Sequence, residues 1–429
     1  MNRKMTKLAI AVGMLAGAMS AQAADKELQV WIRATNDSKA VYDRVAQAFE
    51  KKTGIHVEYF NTLTDFEQRL ARAAAGNTLP DLMFNDATFI GQGVQMGILE
   101  QIDPKTIKGS EDVFPAAWAS ARSFDGKYYA VPTSAQSFAL FVRKDWRIKL
   151  GLPSPKTWAD VQNLAKAFTE KDPDGNGKND TFGFIIPGST TRGYTSWFLS
   201  SFIWQAGGDF LKPVGNAFKS SLATKETAQA VDFLRGMICS KVSQPGAINA
   251  TTADAIPSFR SGQTGMFFTG PYHLPLMDKD PGKGTYEVVS IHGPKSAATL
   301  AEGTSVYLMK KSQNKAAAKQ FIEFMISPEG QQMGMKAGEN QPIVRLSVNK
   351  RVDVKATYDN DARWQLFQDL YSKEGRYVPN VPNWTPIRQI TADGFNKIMA
   401  NCSSDIISGL KEVDVAVDAE LAKQNVLAK

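Results

Sequence analysis

The chain has 429 residues, with 50 Lys and Arg against 43 Asp and Glu and a formal charge of +7. Its apolar share of 43% is too high for a disordered chain, so a packed core is expected. The charge excess is mild and no Lys/Arg-rich cluster carries it, which argues against a nucleic-acid-binding surface.

Arg3, Lys4 and Lys7 precede an apolar run from Leu8 to Met19, and Ala21-Gln22-Ala23 follows with small residues. Basic start, apolar middle and Ala-x-Ala end read as a secretory leader, with cleavage expected after Ala23. The run falls short of the roughly 20 residues that span a bilayer. No Cys lies near the cleavage point, so a lipid anchor is not expected there. No later apolar stretch is long enough to span, so the mature chain is expected to be soluble and periplasmic. About 400 residues remain, more than one ordinary core, which suggests two domains. Cys239 and Cys402 are the only cysteines. An oxidising compartment allows one disulfide between them, but spacing does not say whether their Cα atoms come within reach.

After the leader, strand and helix alternate. Leu28, Val30 and Ile32 alternate as a strand does. Val41, Val45, Ala48 and Phe49 share one face of a helix over Lys39 to Lys52, with Gly54 as its stop. Ile55, Val57 and Tyr59 read as a second strand, Phe66 to Ala75 as a helix stopped by Gly76, and Leu79 to Asn85 as a third strand. This β-α-β-α-β order predicts an α/β fold with a mostly parallel sheet. Ligands of such sheets bind at the carboxyl ends of strands. Gly126 to Pro132 then reads as a turn into a strand, Thr157 as the N-cap of a helix carrying Trp158, Val161, Leu164 and Phe168, and Tyr286 to Ile291 as another strand. Lys315 to Met325 is an amphipathic helix, and the last hundred residues are mainly helical.

Six fragments in order carry a resemblance. They are Phe49-Glu50-Lys51-Lys52-Thr53-Gly54-Ile55, Gly76-Asn77-Thr78-Leu79-Pro80-Asp81, Gly126-Lys127-Tyr128-Tyr129-Ala130-Val131-Pro132, Pro155-Lys156-Thr157-Trp158, Phe259 to Met266, and Gly270-Pro271-Tyr272. Together they resemble the extracellular solute-binding proteins of the carbohydrate-uptake class, the maltose-binding-protein-like receptors of ABC importers. The resemblance implies a two-lobed fold, each lobe a mostly parallel sheet flanked by helices, with the ligand cleft at the hinge. It implies an N-terminal lobe of 24–134 plus 289–337 and a C-terminal lobe of 135–288 plus 338–429. It implies a monomer that closes on a mono- or oligosaccharide and delivers it to inner-membrane ABC permease subunits. The chain departs from the family in having Tyr272 where Trp is frequent and Gln136 where an acid is frequent, which leaves the sugar's identity open.

A sugar cleft needs polar side chains for hydroxyls and flat aromatic faces for C–H patches. Strand-end positions nominate Thr35, Asn36, Asp37, Asn85 and Asp86, each of which could instead cap a helix. Gln136 follows the first crossing between lobes. Tyr194, Trp197, Tyr272 and Trp384 are the aromatic candidates, against a packing role for each. Arg33 and Arg192 could grip a carboxylate or phosphate, or be solvated surface residues. Asp172, Asp174, Asn176, Lys178 and Asp180 match a calcium loop at several positions, but Gly183 stands where the bidentate Glu belongs. A structural Ca2+ and an Asx/Gly-rich surface loop both fit it; no other cofactor is expected.

Two other readings compete. His56, His273 and His292 have no metal-ligand spacing, and neither a Gly-x-Ser-x-Gly elbow nor a Walker loop occurs, so an exported polysaccharide-degrading enzyme is not expected. A receptor of the same fold for a non-sugar or anionic solute is the alternative.

Overall fold

The computed structural model describes residues 27–34, 36–62, 65–338 and 340–429. The leader, its cleavage point and Thr35 lie outside these residues. Nine strands build two sheets: β1 (Glu27–Ile32), β2 (His56–Asn61), β3 (Leu82–Asp86), β4 (Val131–Ala135), β5 (Ala139–Arg143), β6 (Phe182–Ile185), β7 (Thr264–Thr269), β8 (Tyr286–Val289) and β9 (Gly303–Leu308). The first sheet has the order β2-β1-β3-β9-β4 and the second β8-β5-β7-β6. Two short two-stranded ladders, Leu211–Val214 with Ala217–Ser220 and Thr299–Leu300 with Gly375–Arg376, stand outside them.

The helices that matter below are α1 (Asn36–Thr53), α2 (Phe66–Gly76), α3 (Trp158–Glu170), α4 (Tyr194–Ala206), α5 (Lys225–Cys239), α6 (Lys315–Ile326), α7 (Trp384–Met399) and α8 (Ile406–Lys423). Their apolar faces explain their places. Val41, Val45 and Phe49 of α1 are buried, and the Phe49 ring meets Phe321 of α6 edge-on at 5.0 Å. Burying each such side chain contributes about 1.5–3 kcal/mol. In α3 the four residues Trp158, Val161, Leu164 and Phe168 are all buried. Thr157 and Asp160 form a reciprocal capping box at its start.

Local boundaries moved for identifiable reasons. The third strand starts at Leu82 and not Leu79, because Asp81 is engaged as an anchor: its carboxylate accepts from the Gln29 amide at 3.1 Å and Ser312 Oγ at 2.6 Å. The stop of α2 is supplied by Asn77, left-handed at φ 58°, whose N–H closes the last turn. Cys239 and Cys402 form a disulfide with Cα atoms 5.8 Å apart, tying the end of α5 to the turn after α7.

The sheets are mixed where a mostly parallel arrangement was expected. β1 is parallel to β2 and β3, but β9 runs antiparallel to both β3 and β4. In the second sheet only β6 and β7 are parallel; β5 is antiparallel to β7 and β8. The path of the chain explains this. It leaves β4 at the carboxyl end of the first sheet and enters β5 three residues later, so β5 must run away from that edge. β9 returns from the second sheet at the same edge and must likewise run outward.

Candidate functional site

These crossings collect one edge of each sheet at one place. The register pairs Thr304 at the start of β9 with Asp86 at the end of β3, and Gly303 with Ala135 at the end of β4. The second sheet pairs Ala139 at the start of β5 with Thr269 at the end of β7. The three-residue crossing from Ala135 to Ala139 brings these strand ends of the two sheets to the same edge. Three cavities of about 450, 290 and 110 Å³ open around residues 85–88, the first two sharing Thr88 in their walls and the last two Asn85 and Asp86.

Charge dominates the inner cleft. Arg33, just past β1, places Nη1 3.1 Å from Asp86 Oδ2 and Nε 3.3 Å from Glu67 Oε1. Arg192, in the loop after β6, reaches the same Glu67 oxygen at 3.0 Å and so ties the second lobe to α2 of the first. Arg192 is left-handed at φ 56°, a conformation that costs an ordinary side chain roughly 1–2 kcal/mol. The next residue is Gly193 at φ 76°, where a Cβ would lie 2.6 Å from Cγ of Arg388 on α7; only glycine lets that arginine lie across the turn.

Glu302 leads into β9 and is 6% exposed. It accepts from Thr88 Oγ1 at 3.0 Å and from the indole N–H of Trp197 on α4. Burial first, and then the charge of Asp86, push its carboxyl above the usual range, while Arg388, Trp197 and Thr88 pull the other way. Arg345 donates through Nη1 to Gln136 Oε1, and its guanidinium lies 4.8 Å from the Tyr272 ring centroid. Burial raises the Tyr272 hydroxyl to about 12, with Arg345 opposing. Neighbouring His273 is driven down to about 3 by burial and then by Arg345, so it stays neutral, with Nδ1 3.0 Å from Thr269 Oγ1.

The nominated residues divide. Asn85 and Asp86 line the two smaller cavities. Asn85 is buried, and its Oδ1 accepts the Asp86 amide at 2.8 Å. Gln136 is buried on Arg345. Asn36 and Asp37 are exposed in the first turn of α1, with Asn36 accepting from Asn61 Nδ2 at 2.9 Å; Ser38 of that turn lines the smallest cavity. Trp197 is half-buried, edge-on to Phe138 at 4.9 Å. Tyr194 is half-buried, and its hydroxyl accepts from Thr252 Oγ1 at 3.4 Å. Trp384 lines the 450 Å³ cavity with Tyr128, Tyr377 and Arg122, yet it is 4% exposed and packs edge-on against Phe210.

Sequence reasoning missed Glu67, Glu302, Arg345 and Arg388. Glu302 and Arg345 come from segments that return to the first sheet late in the chain, and Arg388 from a helix whose pattern reads as packing. A signal existed only for Glu302, which immediately precedes the strand-like run from Gly303.

The comparisons with known proteins agree with this architecture. A family model described as bacterial extracellular solute-binding protein matches residues 34–332. The chain belongs to this family. Among curated relatives, a putative binding protein of Brucella abortus (strain 2308) is 26% identical over 422 residues, covering 96% of this chain and 98% of its own. A maltooligosaccharide ABC transporter solute-binding lipoprotein of Streptococcus pneumoniae (strain R6) is 24% identical over 320 residues, 72% of this chain and 70% of that one. The GacH receptor of Streptomyces glaucescens, solved unliganded and with acarbose, has a TM-score of 0.80 at 20% identity and covers 92% of this chain and 98% of its own. A Thermotoga lettingae ABC transporter solute-binding protein bound with alpha-D-tagatose has a TM-score of 0.79 at 22% identity, covering 92% and 100%. These structures share the two-lobed fold with this solute-binding protein. No helix among its described residues is long and apolar enough to cross a membrane.

The Asp172–Asp180 loop lies on the surface of this solute-binding protein, between α3 and β6. Asp172 Oδ1 accepts amides from Gly175 and Asn176 and Oδ2 the amide of Gly177, at 2.9–3.0 Å. Asn176 Nδ2 bridges Asp174 and Asp180 at 3.0 Å each, the Asn176 oxygen takes the Lys178 amide at 2.8 Å, and the Lys178 side chain is exposed. Among the described residues no three His, Cys, Asp or Glu side chains are grouped as a metal site would require.

Proposed function

We propose that this solute-binding protein captures a carbohydrate in the cleft between its two sheets and delivers it, by lobe closure, to the permease of an ABC importer. The observation that carries this reading is a set of cavities at the strand ends of the first sheet, lined also by Arg192, Thr385 and Arg388 from the loop and helix beside the second, that mix hydrogen-bonding side chains with aromatic walls. Thr88, Asn85 and Asp86 supply polar atoms; Tyr128, Tyr377 and Trp384 supply flat apolar faces. That combination matches the alternating hydroxyl and C–H surface of a sugar. Relatives named for maltooligosaccharide and fructooligosaccharide transport support the same class. The cleft binds and does no chemistry, and the receptor works as a monomer in the periplasm after cleavage following Ala23. The segments around Gln136 and between Val289 and Gly303, which pass from one sheet to the other, act as the hinge. A calorimetric screen of mono- and oligosaccharides tests the reading; a protein that binds none of them overturns it.

A further inference from the structure

The cavities are lined by five guanidinium groups, Arg33, Arg122, Arg192, Arg345 and Arg388, against three carboxylates, Glu67, Asp86 and Glu302. Their pairing is uneven. Glu67 and Asp86 are engaged by Arg33 and Arg192. Glu302 is engaged by two neutral donors, Thr88 and Trp197. Among the described residues, Arg345 has no carboxylate partner; its only side-chain hydrogen bond goes to the neutral amide of Gln136. The side chain of Arg388 makes neither a hydrogen bond nor an ion pair with any described residue. A half-buried guanidinium such as Arg345, whose partners are neutral, gains a charge-assisted pair when an anion arrives.

The smallest cavity shows where. Arg345 and Arg33 line it together with Ser38, Asn85, Asp86 and Thr304. At about 110 Å³ it has room for about four waters, the space of one charged head group and not of a sugar ring. It opens at the first turn of α1, an 18-residue helix whose amide ends favour negative charge. Nη1 of Arg345 is spent on Gln136 and one face lies toward Tyr272, which leaves its Nε/Nη2 edge to present two parallel donors. The 290 Å³ cavity adjoins this one across Asn85 and Asp86.

Resting on the carbohydrate reading above, we propose that the solute is an anionic saccharide whose oxyanion (carboxylate, phosphate or sulfonate) sits on Arg345 in the small cavity while its ring occupies the adjoining space. Calorimetry on the full mature protein tests this with neutral hexoses and disaccharides, uronates, sugar phosphates, a sugar sulfonate and inorganic phosphate. One anionic class is expected to bind at least about tenfold more tightly than its neutral parent, with an affinity that falls as salt rises. Arg345→Gln is expected to remove that preference, and Arg345→Lys to keep part of it; thermal melts confirm that both variants fold. A neutral parent that binds as tightly as every anionic form overturns this inference and leaves the carbohydrate reading standing. Binding of no sugar, or of inorganic phosphate alone, overturns both.

Discussion

The indole N–H of Trp197 donates to the carboxylate of Glu302, joining a helix packed on the second sheet to the residue that opens the last strand of the first. Glu302 is buried, and its folded pKa lies above the ordinary value of 4.5. An acid raised in this way binds more protons folded than unfolded. Its contribution is fully present below pH 4.5 and is lost as pH rises through its folded pKa. Glu302→Gln keeps an acceptor for Trp197 and cannot titrate. Solute-free melting temperatures measured upward from pH 4.5 should fall less steeply in this variant than in the parent protein.

Asp361 titrates in the opposite sense. Burial alone would raise its pKa, but the fork of Arg363, which also holds Asp278, more than offsets this and keeps it at about 2. A depressed acid contributes stability above its unfolded value of 3.8, which is lost as pH falls toward 2. Urea melts between pH 4 and pH 2 should therefore show a decline. Asp361→Asn should be less stable than the parent at pH 6, and the difference should narrow by pH 2.

Gly303 is held against the neighbouring strand. A Cβ there would lie 1.9 Å from the backbone oxygen of Ser134, next to a register shift between Thr304 and Ser305. Backbone cannot yield as a side-chain tip can, so Gly303→Ala should cost about 1–3 kcal/mol or more in a urea melt. It should also weaken solute binding, because Glu302 precedes it directly.

The Cys239–Cys402 bond spans 163 residues. In the chain-entropy account, closing a loop of that length stabilises the fold by about 5 kcal/mol. The Cys239→Ser, Cys402→Ser double variant should lose up to that amount in denaturant. The unreduced, denatured parent should show no free thiol.

What was legible in the sequence was local. Alternating Leu28, Val30 and Ile32 and the one-face spacing of Val41, Val45 and Phe49 follow from periods of 2 and 3.6 residues, so element type could be read directly; the family resemblance was carried separately, by six short motifs in order. Asn85 and Asp86, which line two of the cavities, could be nominated because they end a strand, where ligands of such sheets bind. The hand of the later strands was not legible, because whether β5 and β9 run with or against their neighbours depends on which edge the chain crosses. Tertiary structure alone decided that Glu302, Arg345 and Arg388, from three separated segments, share a cleft with Arg33 and Asp86. The pairing of Cys239 with Cys402 was decided in the same way. Such meetings depend on where the chain returns, and periodicity within a segment carries no information about that.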